Sequence, residues 1–184
     1  SLKHEAMLLH RLVDDLYQLS MSDVGGLKYH FNQVDISESV DNICAAMNAK
    51  AQQKDLRIST NIPTKPIYCL ADPQRLEQLF INLLNNAILY TDAGGEIVLS
   101  LTYRADKVIF EINDTLPGVP LGDCDKLFDP LYRQNPSRNR AAPGAGLGLT
   151  ICKNIVTAHQ GKINASPSSL GGLCIRVELE TAKK

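Results

Sequence analysis

The chain has 184 residues, 44% of them apolar and 21% charged, and a formal net charge of −1. That apolar share supports a packed core and excludes both a disordered chain and a disulfide scaffold. The near-neutral balance gives no electrostatic reason to expect nucleic acid as a partner, and the length predicts one globular domain plus an appendage.

Residues 4–22 read as one helix. Met7, Leu8, Leu12, Val13, Leu16 and Leu19 recur at helical spacing, with charged residues between them. Such a stripe calls for a partner, either the domain itself or a helix bundle. Ser1–Lys3 carry no signal-peptide pattern, and no apolar run is long enough to cross a bilayer. A start in mid-helix is expected of a fragment, and the parent protein is expected in the bacterial inner membrane with this part on the cytoplasmic side.

Gly25-Gly26 ends that helix, and residues 28–34 read as a short extended linker. Asp35-Ile-Ser-Glu38 has the form of a capping box opening a second helix to about Lys54. Leu56–Asn61 and Ile67–Leu70 read as strands. Asp72-Pro73 combines a capping side chain with proline in the first turn, which predicts a helix to about Tyr90. Glu96–Arg104 and Lys107–Asn113 alternate like a hairpin. Residues 114–146 form a long Pro-, Gly- and Arg-rich loop, a length usually kept for function. Leu147–His159 reads as a helix, and Lys162–Ala165 and Leu173–Leu179 as strands turning at Gly171-Gly172. Hairpins interleaved with three helices predict an α+β, two-layer α/β sandwich. The five cysteines, Cys44, Cys69, Cys124, Cys152 and Cys174, include no C-x-x-C pair and predict free thiols in a reducing compartment.

Three constellations carry chemistry. Asn82, Asn86 and Tyr90 lie four apart on one face of an otherwise apolar helix. A helix-interior asparagine needs a partner, and a hard cation such as Mg²⁺ is one; exposed or capped asparagines fit the spacing equally well. Gly144-Ala-Gly146-Leu147-Gly148 runs into a helix, where backbone N–H groups and the helix N-terminus suit phosphate. It is neither a dinucleotide fingerprint nor a P-loop. Upstream, Arg133, Arg138 and Arg140 could clamp phosphate oxygens or line a solvated surface. Asp114, four residues before Gly118, could accept from an exocyclic amine, although Asp-x-x-Pro-Gly is also an ordinary turn.

In this order the segments resemble the bacterial two-component sensor histidine kinases, whose ATP domain shares a superfamily with DNA gyrase, Hsp90 and MutL. Residues 82–91 are similar to the N box, 114–118 to the first glycine box, 126–133 to the F box and 144–149 to the second glycine box. The resemblance implies a Bergerat-type fold, with a mixed, mostly antiparallel sheet under three helices. It divides the chain into the end of a dimerisation helix (1–27), a linker (28–34) and an ATP-binding catalytic domain (35–182).

It further implies Asn86 as the Mg²⁺ ligand and Tyr90 beside the adenine. Asp114 and Gly118 would bind the base, and Gly144, Gly146, Leu147, Gly148 and Leu149 the phosphates. Asn82, Asn86, Arg133 and Arg140 would serve catalysis. The expected cofactors are ATP and Mg²⁺. The expected partners are the dimerisation domain of the same or a second subunit, in a homodimer, and a cytoplasmic response regulator. Asn82 stands where the superfamily's hydrolases carry a glutamate base, and an amide cannot take a proton from water. His4-Glu5 lacks the phosphoacceptor continuation, so the acceptor histidine is expected outside this chain; His10, His30 and His159 read as surface or packing residues. Leu89, Leu116, Leu131 and Leu173 depart from the family pattern and are where nucleotide affinity could suffer. The alternatives are a degenerate docking module and a hydrolytic ATPase of the same superfamily.

Overall fold

A computed structural model describes residues 2–23, 25–133 and 146–182. Its elements are α1 (Leu2–Asp23), β1 (Asn32–Asp35), α2 (Ile36–Gln52), β2 (Arg57–Asn61), β3 (Tyr68–Ala71) and α3 (Pro73–Tyr90), followed by β4 (Glu96–Arg104), β5 (Lys107–Thr115), α4 (Gly148–Ala158), β6 (Lys162–Pro167) and β7 (Gly171–Glu180). Two short 3₁₀ turns, Leu121–Asp123 and Asp125–Phe128, break the predicted long loop.

Strands β2-β4-β5-β7-β6 form one sheet in that order. Only β2/β4 is parallel; the other pairs are antiparallel. Alternate residues Ile97, Leu99 and Leu101 on β4, Val108, Phe110 and Ile112 on β5, and Ile175, Val177 and Leu179 on β7 are buried. They meet the apolar faces of α2, α3 and α4 in one core. The other face carries Ser100, Glu111, Arg176 and Glu178, half-exposed. That alternation is what a sheet covered on one side requires. Phe80 of α3 and Phe110 of β5 meet at the centre, ring centroids 4.7 Å apart.

The linker holds more structure than its sequence predicts. Residues 32–35 form β1, antiparallel to β3, with Gln33 opposite Leu70 and Asp35 opposite Tyr68. Helix starts follow the local signals. Asp35 Oδ1 accepts from the N–H groups of Ser37 (3.0 Å) and Glu38 (3.3 Å). Asp72 Oδ1 accepts from Gln74 and Arg75, both at 3.1 Å, and its Oδ2 takes the N–H of His30 at 2.8 Å. The end of α1 is a Schellman turn: Gly26 N–H donates to Met21 O at 2.8 Å, and Gly25 has φ +67°.

Helix α1 touches the domain near its C-terminal end. Gln78 Nε2 donates to Gln18 Oε1 at 2.6 Å, and Leu19 packs on the core. Farther back, Met7, Leu9, Val13, Leu16 and Tyr17 are exposed. His159, read from sequence as a surface or packing residue, is buried and holds two helices together. Its Nε2 accepts from Asp72 N–H at 3.1 Å while its Nδ1 donates to Ile155 O at 2.7 Å. Tyr29 and Phe31 of the linker lie edge-on to its ring, at 5.7 and 5.0 Å.

Candidate functional site

Asp114 lies inside β5, one residue short of the strand's end, rather than in the loop. Pairing between β5 and β7 slips there: Asn113 faces Cys174, but Thr115 faces Gly171. Gly172 and Leu173 therefore oppose Asp114 alone, a β-bulge on β7. The bulge takes the Leu173 N–H out of the ladder and turns it to the carboxylate, 2.6 Å from Oδ1. A Cβ on Gly172 would fall inside van der Waals contact with Asp114 Oδ1 and with the Thr115 carbonyl. Gly118, at φ +69°, lies against the same spot; a Cβ there would come within 2.8 Å of Gly172 O. Glycine at both positions keeps the approach to Asp114 open.

Burial pushes the Asp114 pKa up to about 6, against the opposing pull of the Leu173 N–H and the Thr91 hydroxyl. Thr91 is itself buried and is the C-cap of α3. Its Oγ1 also lies 2.7 Å from Ala87 O, so one hydroxyl proton serves either the helix or the carboxylate. This contact joins the end of α3 to the Asp114 bulge, and Asp92 N–H to Leu116 O (3.0 Å) joins them a second time.

Helix α3 buries Leu76, Leu79, Phe80, Leu83, Leu84, Ala87 and Ile88. Asn82 and Asn86 are half-buried on its remaining face, and Tyr90 is 36% exposed in the last turn. Asn82 hydrogen-bonds the Cys152 thiol of α4. Among the described residues no group of three His, Cys, Asp or Glu side chains could hold a metal. A neutral amide such as Asn86 suits a cation that takes most of its ligands from phosphate and water, as Mg²⁺ does.

Gly146 has φ +72°, and its carbonyl accepts from Leu131 N–H at 3.1 Å. A Cβ on Gly146 would come within 2.9 Å of Tyr132 O, so the F-box end and the second glycine box touch backbone to backbone. Thr150 Oγ1 donates to Phe128 O at 3.0 Å and holds them there. Helix α4 begins at Gly148 without a side-chain cap, leaving its first N–H groups for an anion. Leu147 and Leu149 are buried, so only their backbone is available to a ligand. Arg133 is half-buried at the end of this stretch. Arg138, Arg140 and Gly144 lie outside the described residues.

The four leucine departures leave these groups in place. Leu116 and Leu131 are exposed, Leu89 engages through its carbonyl, and Leu173 serves Asp114 through its N–H. Sequence reasoning missed Thr91 and Gly172. The only signal for Gly172 was the pair Gly171-Gly172, which reads as a turn.

Residues 71–183 match the family described as histidine kinase-, DNA gyrase B-, and HSP90-like ATPase. The chain is 44% identical, over 97% of its length, to the signal transduction histidine-protein kinase BaeS of Escherichia coli K12, and covers 38% of that protein. It is similar in structure to the histidine kinase AdeS of Acinetobacter baumannii (TM-score 0.81, 26% identity, 100% of this chain and 83% of that one). It is also similar to full-length ShkA solved with AMPPNP (TM-score 0.82, 25% identity, 96% of this chain and 36% of that one). The chain thus spans less than half the length of the curated relatives it matches. It belongs to the histidine kinase-, DNA gyrase B- and HSP90-like ATPases, and its ATP-binding domain is of the sensor histidine kinase kind.

Proposed function

We propose that this chain binds Mg-ATP between α3, the Asp114 bulge and the start of α4. It would transfer the γ-phosphoryl group to a histidine on a dimerisation hairpin, for relay to a cytoplasmic response regulator. In the parent protein the domain would work as a homodimer on the inner face of the membrane. The observation that carries this reading is Asp114: a buried carboxylate, aimed by a bulge at a gap that two glycines keep clear.

On this reading Asp114 accepts the adenine amine in the gap beside Gly118, and Tyr90 covers the base. Gly144, Gly146 and the backbone of Leu147, Gly148 and Leu149 present N–H groups to the phosphates. Asn86 holds Mg²⁺, which neutralises phosphate charge when bound. Arg133 and Arg140 steady the phosphate oxygens as guanidinium forks. Such a site acts mainly by positioning and charge neutralisation. The attacking imidazole is neutral near physiological pH; its nitrogen takes the phosphoryl group and ADP leaves. Asn82 offers an amide, already turned toward Cys152, and cannot deprotonate water, which favours transfer over hydrolysis.

Calorimetric titration of a non-hydrolysable Mg-ATP analogue into the parent, Asn86→Ala and Asp114→Ala is the test. Binding by the parent and its loss in both folded variants, followed by phosphorylation of a supplied acceptor hairpin with ATP, is the expected result. A folded parent that binds no nucleotide would rule the reading out.

A further inference from the structure

Helix α3 ends with carbonyl oxygens that have no partner within the helix. Three of them converge on one side chain from another element. Lys54 Nζ donates to the carbonyls of Ile88 (2.8 Å), Leu89 (2.6 Å) and Thr91 (2.8 Å). An ammonium has three N–H bonds, so this arrangement uses all of them. Its charge also meets the negative end of the helix dipole. Lys54 follows α2 and is fixed locally by its own N–H to Ala51 O (3.0 Å), while the next carbonyl, Asp55 O, accepts from Gly94 N–H at 2.8 Å. Residues 54 and 55 therefore clasp the chain on both sides of the turn at 91–94.

That turn is where α3 hands over to the site. Tyr90 is the last helical residue, Asn86 lies one turn earlier, and Thr91 carries the hydroxyl that reaches Asp114. Burial lowers the Lys54 pKa, and Asp92 opposes that shift; holding a charged group half-buried has a cost that the three acceptors offset. A helix end needed only for folding could be capped by water or by a glycine turn.

We propose that Lys54 is a positioning residue for the nucleotide: it fixes the Thr91 carbonyl, and through Thr91 the Asp114 carboxylate, so that the adenine is read in one register. The inference rests on the ATP-site reading above. Lys54 itself touches neither base nor phosphate.

The test titrates non-hydrolysable Mg-ATP and Mg-GTP analogues into the parent, Lys54→Met, Lys54→Arg and Asp114→Asn. Lys54→Met keeps the length of the stem but loses the charge and all three hydrogen bonds. It should bind the ATP analogue about tenfold more weakly, as loss of a charge-assisted contact predicts, with little change for the GTP analogue. Lys54→Arg should recover most of the preference for adenine. A folded Lys54→Met that melts lower but keeps the parent's affinity and base preference would overturn the proposal. Should Lys54→Met fail to fold, Lys54→Gln is judged by the same two criteria. A parent that binds neither analogue would instead overturn the ATP-site reading, and this inference with it.

Discussion

Asp114 is a carboxyl whose ionisation the fold resists. Its ordinary value is 3.8, and burial raises it to about 6. With the folded value above the unfolded one, its contribution to stability is complete below about pH 4 and is lost as pH rises through 6. Asp114→Asn removes that loss. The ligand-free variant should melt above the parent at pH 7.5, by up to about 3 kcal/mol, and thermal melts at pH 5 should show the gap narrowing. An adenine amine donates to the ionised form, so nucleotide affinity of the parent should fall as pH drops through 6, which calorimetry between pH 5 and 8 measures. Gly172→Ala would drive a methyl into the same carboxylate. It should cost about 1–3 kcal/mol as overpacking does and abolish nucleotide binding. Asp114 was legible in the sequence through Asp-x-x-Pro-Gly. Gly172 was not, because a bulge is a property of the register between two strands that are distant in the chain. The cysteines followed composition: Cys44 and Cys69 are buried, and burial lifts both thiols to about 11, so neither is a ready nucleophile.

The elements differ in how local their causes are. Asp72-Pro73 announced α3 because cap and proline are neighbours, and Asp72 accepts from Gln74 and Arg75 as expected. Its third donor, His30 N–H, comes from 42 residues away and was invisible. The four-residue strand β1 was hidden for the same reason: it exists through pairing with β3. Burial raises the Asp72 pKa, but the three backbone donors outweigh it and hold the carboxyl below its ordinary range. With the folded value depressed, this contribution to stability is present above the ordinary value and disappears as pH falls through the folded one. Asp72→Ala should therefore destabilise the domain by about 2 kcal/mol at neutral pH, read by urea unfolding. It should also loosen residues 28–34, read by hydrogen exchange at His30.

Across the whole molecule, the apolar stripe of α1 has two fates. Gln18 and Leu19 lie against the domain. Val13 and Leu16 remain 56% and 54% exposed, beside Leu9 and Tyr17. Exposed apolar area of this kind is suited to a second copy, in line with the homodimer proposed for the parent. Light scattering should show concentration-dependent association of the chain, and Val13→Glu with Leu16→Glu should leave it monomeric. The layered α+β architecture was legible because helical and strand periods are written locally. The meeting of Thr91, Asp114, Gly118 and Gly172 at one spot was not, because it depends on how α3 and two strands are stacked.

The bond between His159 Nε2 and Asp72 N–H joins the end of α4 to the start of α3. The two helices run in opposite senses from that point, and each carries nucleotide-facing groups at its other end. They are two arms on one pivot. At about 1.5 Å per residue the shorter arm spans roughly 16 Å, so a tilt of about 5° opens its far end by about 1.4 Å. The linker grips that pivot through His30, Tyr29 and Phe31. A small torque delivered along α1 is thus magnified at the mouth of the site, and the gap between the arms can be reset without disturbing any residue that lines it.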